Sequence, residues 1–272
     1  MDFRCSPNNI DPIIRGDSVG NKILAGTYYI LAVWNCIPAV SLRLTGRLAT
    51  PPAEGLAKRI IKAKNVLKKI ELTNMHTALD LGCGSGAYSL ALCDLGFSEI
   101  HAVDYCTEVF HPSLKTDNRI QTHLMDIRLI DDSLFQDMDL ILCTGDTILY
   151  LNNIEEIGQL FSHVNKILNH EGVFLLEFRD FSVELPVFER FKTSKLTESY
   201  IKNIGLIYED GFLFTIDIIN KKVNGNWVTQ KGVSRKLRVA SDQIHILLEE
   251  RDFNIRDSII MNGNVTLVVD KK

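Results

Sequence analysis

The chain has 272 residues, 46% hydrophobic and 24% charged, with a formal net charge of -4: ordinary globular composition, and enough chain for one large core. The slightly acidic balance gives no electrostatic reason to bind nucleic acid. Six scattered cysteines without a CxxC pair, and histidines without ligand spacing, argue against a disulfide frame or a structural metal.

The start, MDFRCSPNNIDPIIRGD, carries acids and prolines where an export signal needs a basic patch and an apolar run, so a cytoplasmic protein is expected. Residues 23–42, ILAGTYYILAVWNCIPAVSL, are about 20 uncharged residues between Lys22 and Arg43, long enough to span a bilayer. Thr27, Asn35 and Pro38 dilute the run, which therefore reads as a buried or lid helix without stable membrane insertion. Residues 1–50 form an N-terminal helical lid or cap segment in this reading, and residues 51–272 one domain.

Apolar positions at Leu56, Ile60, Ala63, Leu67 and Ile70 mark an amphipathic helix over residues 54–71. Strands and helices then alternate: strand 77–82, helix 87–96, strand 99–104, helix 107–115, strand 120–126, strand 139–144, helix 153–168 and strand 173–178. Apolar strands alternating with helices predict a mostly parallel sheet covered on both faces. After residue 180 the rhythm changes to antiparallel strands at 208–220 and 226–239, an insertion spanning about 181–239. A helix at 241–251 and two final strands separated by Asn262-Gly263 close the chain.

The stretch LDLGCGSG places Gly82, Gly84 and Gly86 between the first strand and its helix. A helix starting at a strand end presents unpaired N–H groups, and glycines let a ligand approach the backbone. The spacing differs from the GxGxxG of dinucleotide folds, which weighs against a nicotinamide oxidoreductase. Asp104 closes the second strand, where an acid can accept both ribose hydroxyls of a nucleoside. Asp126 and Ile127 close the third, placed to meet an adenine amino group and pack against its ring. Asp80, in an otherwise apolar run, needs a partner, which a positively charged amino-acid tail would supply.

With these motifs the chain resembles class I S-adenosylmethionine-dependent methyltransferases. LDLGCGSG is similar to their first motif, AVD to the second, the Met125-Asp126 pair to the third and DLILCTGDTILYL to the fourth. The resemblance implies a Rossmann-like, seven-stranded, mostly parallel sheet with a reversed last strand, and methyl transfer from S-adenosyl-L-methionine. Thr144 and Gly145, after the fourth strand, join the implied cofactor-binding residues.

The nucleophile need only be aligned and water excluded, so few residues have to be chemically special. An Asp/Asn-Pro-Pro-aromatic turn and the prolyl-cysteine of base-modifying members are both missing, and so is the Asp-Asn pair of catechol-type metal enzymes. A small-molecule acceptor is expected, an amine ahead of a hydroxyl. CTGDTILYL and LLEFRDF are closest to the glycine N-methyltransferase-like branch, in which an arginine after the fifth strand pairs with the substrate carboxylate. Arg179 holds that place, with an internal pair to Asp180, Glu177 or Asp146 as its structural alternative. Asp146 stands where the branch has asparagine and is the candidate catalytic acid: it can bind a substrate ammonium, accept its proton, or simply hold the loop. Tyr150 and Tyr28 are candidate walls for the substrate. Lys236 and Arg238, at alternate positions of one strand, share a face that could bind an anionic substrate, with a solvated sheet face as the alternative. A non-catalytic protein that binds S-adenosylmethionine for regulation is the alternative reading.

Overall fold

The computed structural model describes residues 52–72 and 74–272. The expected lid at 1–50, the apolar run at 23–42 and Tyr28 lie outside the described residues. Helix α1 (Pro52–Leu67) buries Leu56, Ala63 and Leu67, the stripe the periodicity marks.

The alternation that follows is β1 (Thr77–Leu81), α2 (Ala87–Asp94), β2 (Glu99–Asp104), β3 (Ile120–Leu124), β4 (Met138–Cys143), α3 (Ile154–Ile167) and β5 (Leu168–Arg179). The helix expected at 107–115 is instead two short 3-10 turns, Thr107–Val109 and Pro112–Lys115. Pro112 biases His111 out of the helical region, and His111 sits in extended geometry with its ring accepting the Ser113 N–H.

The insertion keeps the expected span but holds more strands than the sequence suggests. It holds β6 (Phe191–Thr197), β7 (Tyr200–Glu209), β8 (Phe212–Val223) and β9 (Asn226–Leu237), an antiparallel sheet in that order. The single strand expected at 208–220 is split by a hairpin turn at Asp210-Gly211, a dipeptide that supplies the turn with its required positive φ at Gly211. The chain ends with α4 (Ser241–Glu249), β10 (Phe253–Met261) and β11 (Asn264–Lys271), the last two joined at Asn262-Gly263.

The main sheet has seven strands in the order β10-β11-β5-β4-β1-β2-β3, with β11 antiparallel to both its neighbours. One face packs α3 and α4 around Phe161, Phe174, Phe178 and Phe253; the other packs α1 and α2 around Leu67, Leu92, Phe97 and Ile100. Because β1 to β5 are parallel, their carboxyl ends meet at one edge. Among the described residues, no helix is long and apolar enough to cross a membrane.

Candidate active site

The order of the strands reverses direction at β1, so the crevice at the carboxyl edge of β1 and β4 is where ligands bind in open sheets of this kind. Gly82, Gly84 and Gly86 all have positive φ, and Gly86 is the N-cap of α2. A side chain on Gly86 would run into Leu114, with its first carbon 2.2 Å from Cδ2. Gly84 has nothing within 4 Å of where a Cβ would stand. Gly86 is thus a packing requirement, and Gly84 opens a cradle.

Asp80 is buried on the face below α2. Its Oδ2 accepts the Ser89 hydroxyl at 2.6 Å and the Ser89 N–H at 3.2 Å, one of the unpaired donors of the helix N-terminus. Burial pushes this carboxyl up to about 6, against the downward pull of the two Ser89 bonds. Its Oδ1 is buried with no hydrogen-bond partner among the described residues. An orphaned acceptor of this kind calls for a donor or a cation.

Asp104, also buried, is aimed by two backbone donors: Gly84 N–H to Oδ2 at 2.9 Å and Cys106 N–H to Oδ1 at 3.0 Å. The same acid therefore fixes the glycine loop to the end of β2. Each carboxylate oxygen can accept more than one bond, so this orientation is compatible with further acceptance from hydroxyls.

Asp126 caps the 3-10 turn Ile127–Leu129 and forms a forked pair with Arg128, Nη2 to Oδ2 at 2.6 Å. The Arg128 hydrogen bonds hold its carboxyl below the usual range despite partial burial. Ile127 packs against the core on the α3 side.

After β4 the loop Thr144-Gly145-Asp146-Thr147 is closed by the Thr147 hydroxyl donating to the Thr144 carbonyl at 2.8 Å. A Cβ on Gly145 would likewise meet nothing within 4 Å, while one on Gly82 would strike Thr147. The two loops therefore touch.

Asp146 is the centre of a charge cluster. Arg179 donates through Nε to both its oxygens and through Nη2 to Oδ2, and Lys236 of β9 donates Nζ to Oδ2 at 2.6 Å. Burial alone would raise this carboxyl; the Arg179 bonds and the two cations outweigh burial and hold it down. The internal pair named as the alternative for Arg179 thus exists, with Asp146 as its partner. Glu177 instead accepts the Tyr88 hydroxyl at 2.5 Å, and Asp180 accepts the first N–H of α4. The Tyr150 ring lies 5.5 Å from Lys236 Nζ, and the Phe181 ring lies 4.9 Å from the Arg179 guanidinium and 5.7 Å from Lys236 Nζ. Arg238 is spent elsewhere, on Glu184 and the carbonyls of Phe181, Ser182 and Glu209. Ser89, Phe181 and the pairing of Lys236 with Asp146 are what sequence reasoning missed; it names Lys236 only as a candidate contact for an anionic substrate.

Residues 78–172 match the model of the family described as methyltransferase domain. The sheet order, the reversed β11 and the glycine loop after β1 agree with that match. Over those residues the chain is similar to that methyltransferase-domain family. The chain is 25% identical over 138 residues to a glycine/sarcosine N-methyltransferase of Aphanothece halophytica, covering 49% of this chain and 51% of the relative. The chain thus spans about half the length of that curated relative. Among solved structures, an S-adenosylmethionine-dependent methyltransferase from Clostridium acetobutylicum ATCC 824 matches with a TM-score of 0.65 at 16% identity, covering 92% of this chain and 98% of that one. The sugar N-methyltransferase KedS8 from Streptoalloteichus sp ATCC 53650 matches with a TM-score of 0.65 at 12% identity, covering 97% and 98%. At such identities the structural likeness establishes the methyltransferase fold alone.

Proposed function

We propose that the chain is an S-adenosylmethionine-dependent methyltransferase acting on the amine of a small molecule that carries an anionic group. The observation that carries this reading is the open Gly84 cradle tied to a buried Asp104, together with the orphaned Oδ1 of Asp80 near the end of the preceding strand β1. These groups fit S-adenosylmethionine. Asp104 would take the ribose hydroxyls, Asp126 and Ile127 the adenine, and the loop amides with Asp80 the amino-acid tail, directly or through water. Thr144 and Gly145 would line the side facing the methyl acceptor. When bound, the cofactor supplies a methyl carbon activated by a positive sulfur.

The chain's own contribution is alignment and exclusion of water. The acceptor amine must arrive with its lone pair free, and the proton it sheds passes to solvent or to a neighbouring carboxylate. Asp146 is the candidate acid, but two cations hold its carboxyl down and make it a weak base. Its better-supported role is to position the acceptor, with Tyr150 as a wall. The kinship with a glycine/sarcosine N-methyltransferase favours an acceptor with a carboxylate, the group a guanidinium fork such as that of Arg179 suits.

The test is mass spectrometry of a metabolite extract incubated with the chain and methyl-labelled S-adenosylmethionine. One labelled amine product is expected. Binding of the cofactor without any labelled product would instead favour a regulatory S-adenosylmethionine-binding protein. No calorimetric heat with the cofactor, from folded chain, would end both readings.

A further inference from the structure

The charge count at the end of β5 does not balance. Arg179 and Lys236 bring two positive charges to the single carboxylate of Asp146, and among the described residues neither cation has a second acid within ion-pair distance. The neighbouring acids are committed elsewhere: Asp180 to Ser182 and the start of α4, Glu177 to the Tyr88 hydroxyl, and Glu184 to Arg190 and Arg238. Arg235, next to Lys236, belongs to the opposite face of β9, where it lies over Phe212 and donates to Asn152. The three side chains are unequally reached by solvent. Lys236 is 6% exposed and Asp146 10%, whereas Arg179 is 45% exposed. Arg179 binds Asp146 through Nε and Nη2 only, and Nη1 has no acceptor among the described residues.

A closed Asp146–Arg179 pair would be neutral and would offer an incoming anion no net attraction. The carboxylate would also compete for the same guanidinium. Lys236 changes both conditions: it gives Asp146 a second cation from beneath and leaves the open guanidinium as the unmatched charge.

We propose that Lys236, delivered by the inserted sheet, is a positioning residue for the anionic group of the methyl acceptor, which it serves by neutralising Asp146 and so releasing Arg179 to that anion. The proposal rests on the reading of this edge as the acceptor site, and it adds the element that charges the site. The inserted sheet is then part of the specificity apparatus, because the nearly buried Lys236 comes from β9. The Phe181 ring lies over the Arg179 guanidinium and the Tyr150 ring beside Lys236 Nζ, adding cation–π contacts to the cluster.

The charge account makes a four-way prediction that a merely structural lysine does not. The probe is acetate, a carboxylate without an amine, titrated calorimetrically into the full chain with and without saturating S-adenosylhomocysteine. The native cluster carries one net positive charge and should bind acetate. Lys236→Met leaves a neutral pair and should weaken acetate about ten-fold or more, the worth of one charge-assisted contact. Lys236→Arg should keep the affinity. The double variant Asp146→Asn with Lys236→Met removes one charge of each sign, restoring the net charge on Arg179, and should recover acetate binding even though Lys236 is absent. Undiminished acetate binding by Lys236→Met, no recovery in a folded double variant, or no acetate heat from the native chain up to about 100 mM would each overturn the proposal. The heat of S-adenosylhomocysteine itself reports separately on the cofactor reading, so the two can fail independently.

Discussion

Three neighbouring residues at the sheet edge have separable jobs, and substitution should separate them. Asp104 receives the Gly84 and Cys106 amides and is the candidate ribose anchor. Asp104→Ala is expected to keep the fold and to lose about two orders of magnitude in S-adenosylmethionine affinity, since each hydrogen bond to a charged group contributes about 1.5–3 kcal/mol. Calorimetry giving an unchanged affinity would remove Asp104 from the site. The glycines divide differently. Gly84→Ala places a methyl in open space at φ 56°, so its stability cost is the left-handed strain of about 1–2 kcal/mol, while the methyl intrudes on the ligand cradle. Gly86→Ala pays the same strain at φ 77° and also collides with Leu114, adding about 1–3 kcal/mol. Urea midpoints should therefore rank Gly86→Ala as the less stable variant, with Gly84→Ala the more damaging to ligand binding relative to its stability loss. Equal midpoints, with native affinity in Gly84→Ala, would refute the division.

Between elements, the contact of most consequence is the one from β1 to the start of α2, where buried Asp80 accepts both Ser89 donors. Its folded-state pKa, about 6, lies above its unfolded value of 3.8, so between these values the native state holds more protons. The stability linked to this group is full below about pH 4 and is lost as pH rises through about 6. Ser89→Ala removes a donor that favours the ionised form, so its destabilisation should be larger at pH 8, about 1.5–3 kcal/mol, than at pH 4.5. Denaturation midpoints at the two pH values check this, and a loss that grows toward acid pH would contradict it. This contact also marks the limit of what the chain pattern discloses. The strand alternation and the glycine loop are legible because burial on both faces writes apolar runs and because positive φ selects glycine. Asp80 is recognisable as a buried acid needing a partner, but the partner is Ser89, an ordinary helix serine whose role depends on how α2 sits over β1. The helix read at 107–115 fails at Pro112. Strands β6 and β7 are not read because β6 is exposed throughout and β7 alternates weakly, leaving no apolar period to detect. Arg179 and Asp146 are both visible as candidates, yet their pairing requires the ends of β4 and β5 to be adjacent, and Lys236 requires the insertion to fold back on that edge.

Across the described fold, stability and ligand response should fall on different segments. β1 and β4 are nearly fully buried and lie at the centre of the seven-stranded sheet, so their amides should exchange with solvent only through global unfolding. β6 is an edge strand with every residue exposed and a register shift between Thr193 and Lys195, so its amides should exchange by local opening, orders of magnitude faster. β9 belongs to the same inserted sheet but is tied to the main body through Lys236 to Asp146 and Arg235 to Asn152. Its carboxyl half should be protected well above β6. Adding S-adenosylmethionine should then slow exchange in residues 82–86, 104–106, 126–130 and 144–147, the loops that line the carboxyl edge, and leave residues 191–205 as they were. The separation is decisive because a ligand stabilises most the segments whose opening destroys its site, while a hairpin open in both states gains nothing. Hydrogen exchange read by mass spectrometry resolves these peptides. Protection gained in the β6–β7 hairpin, with the edge loops unaffected, would move the ligand away from the glycine cradle and onto the inserted sheet.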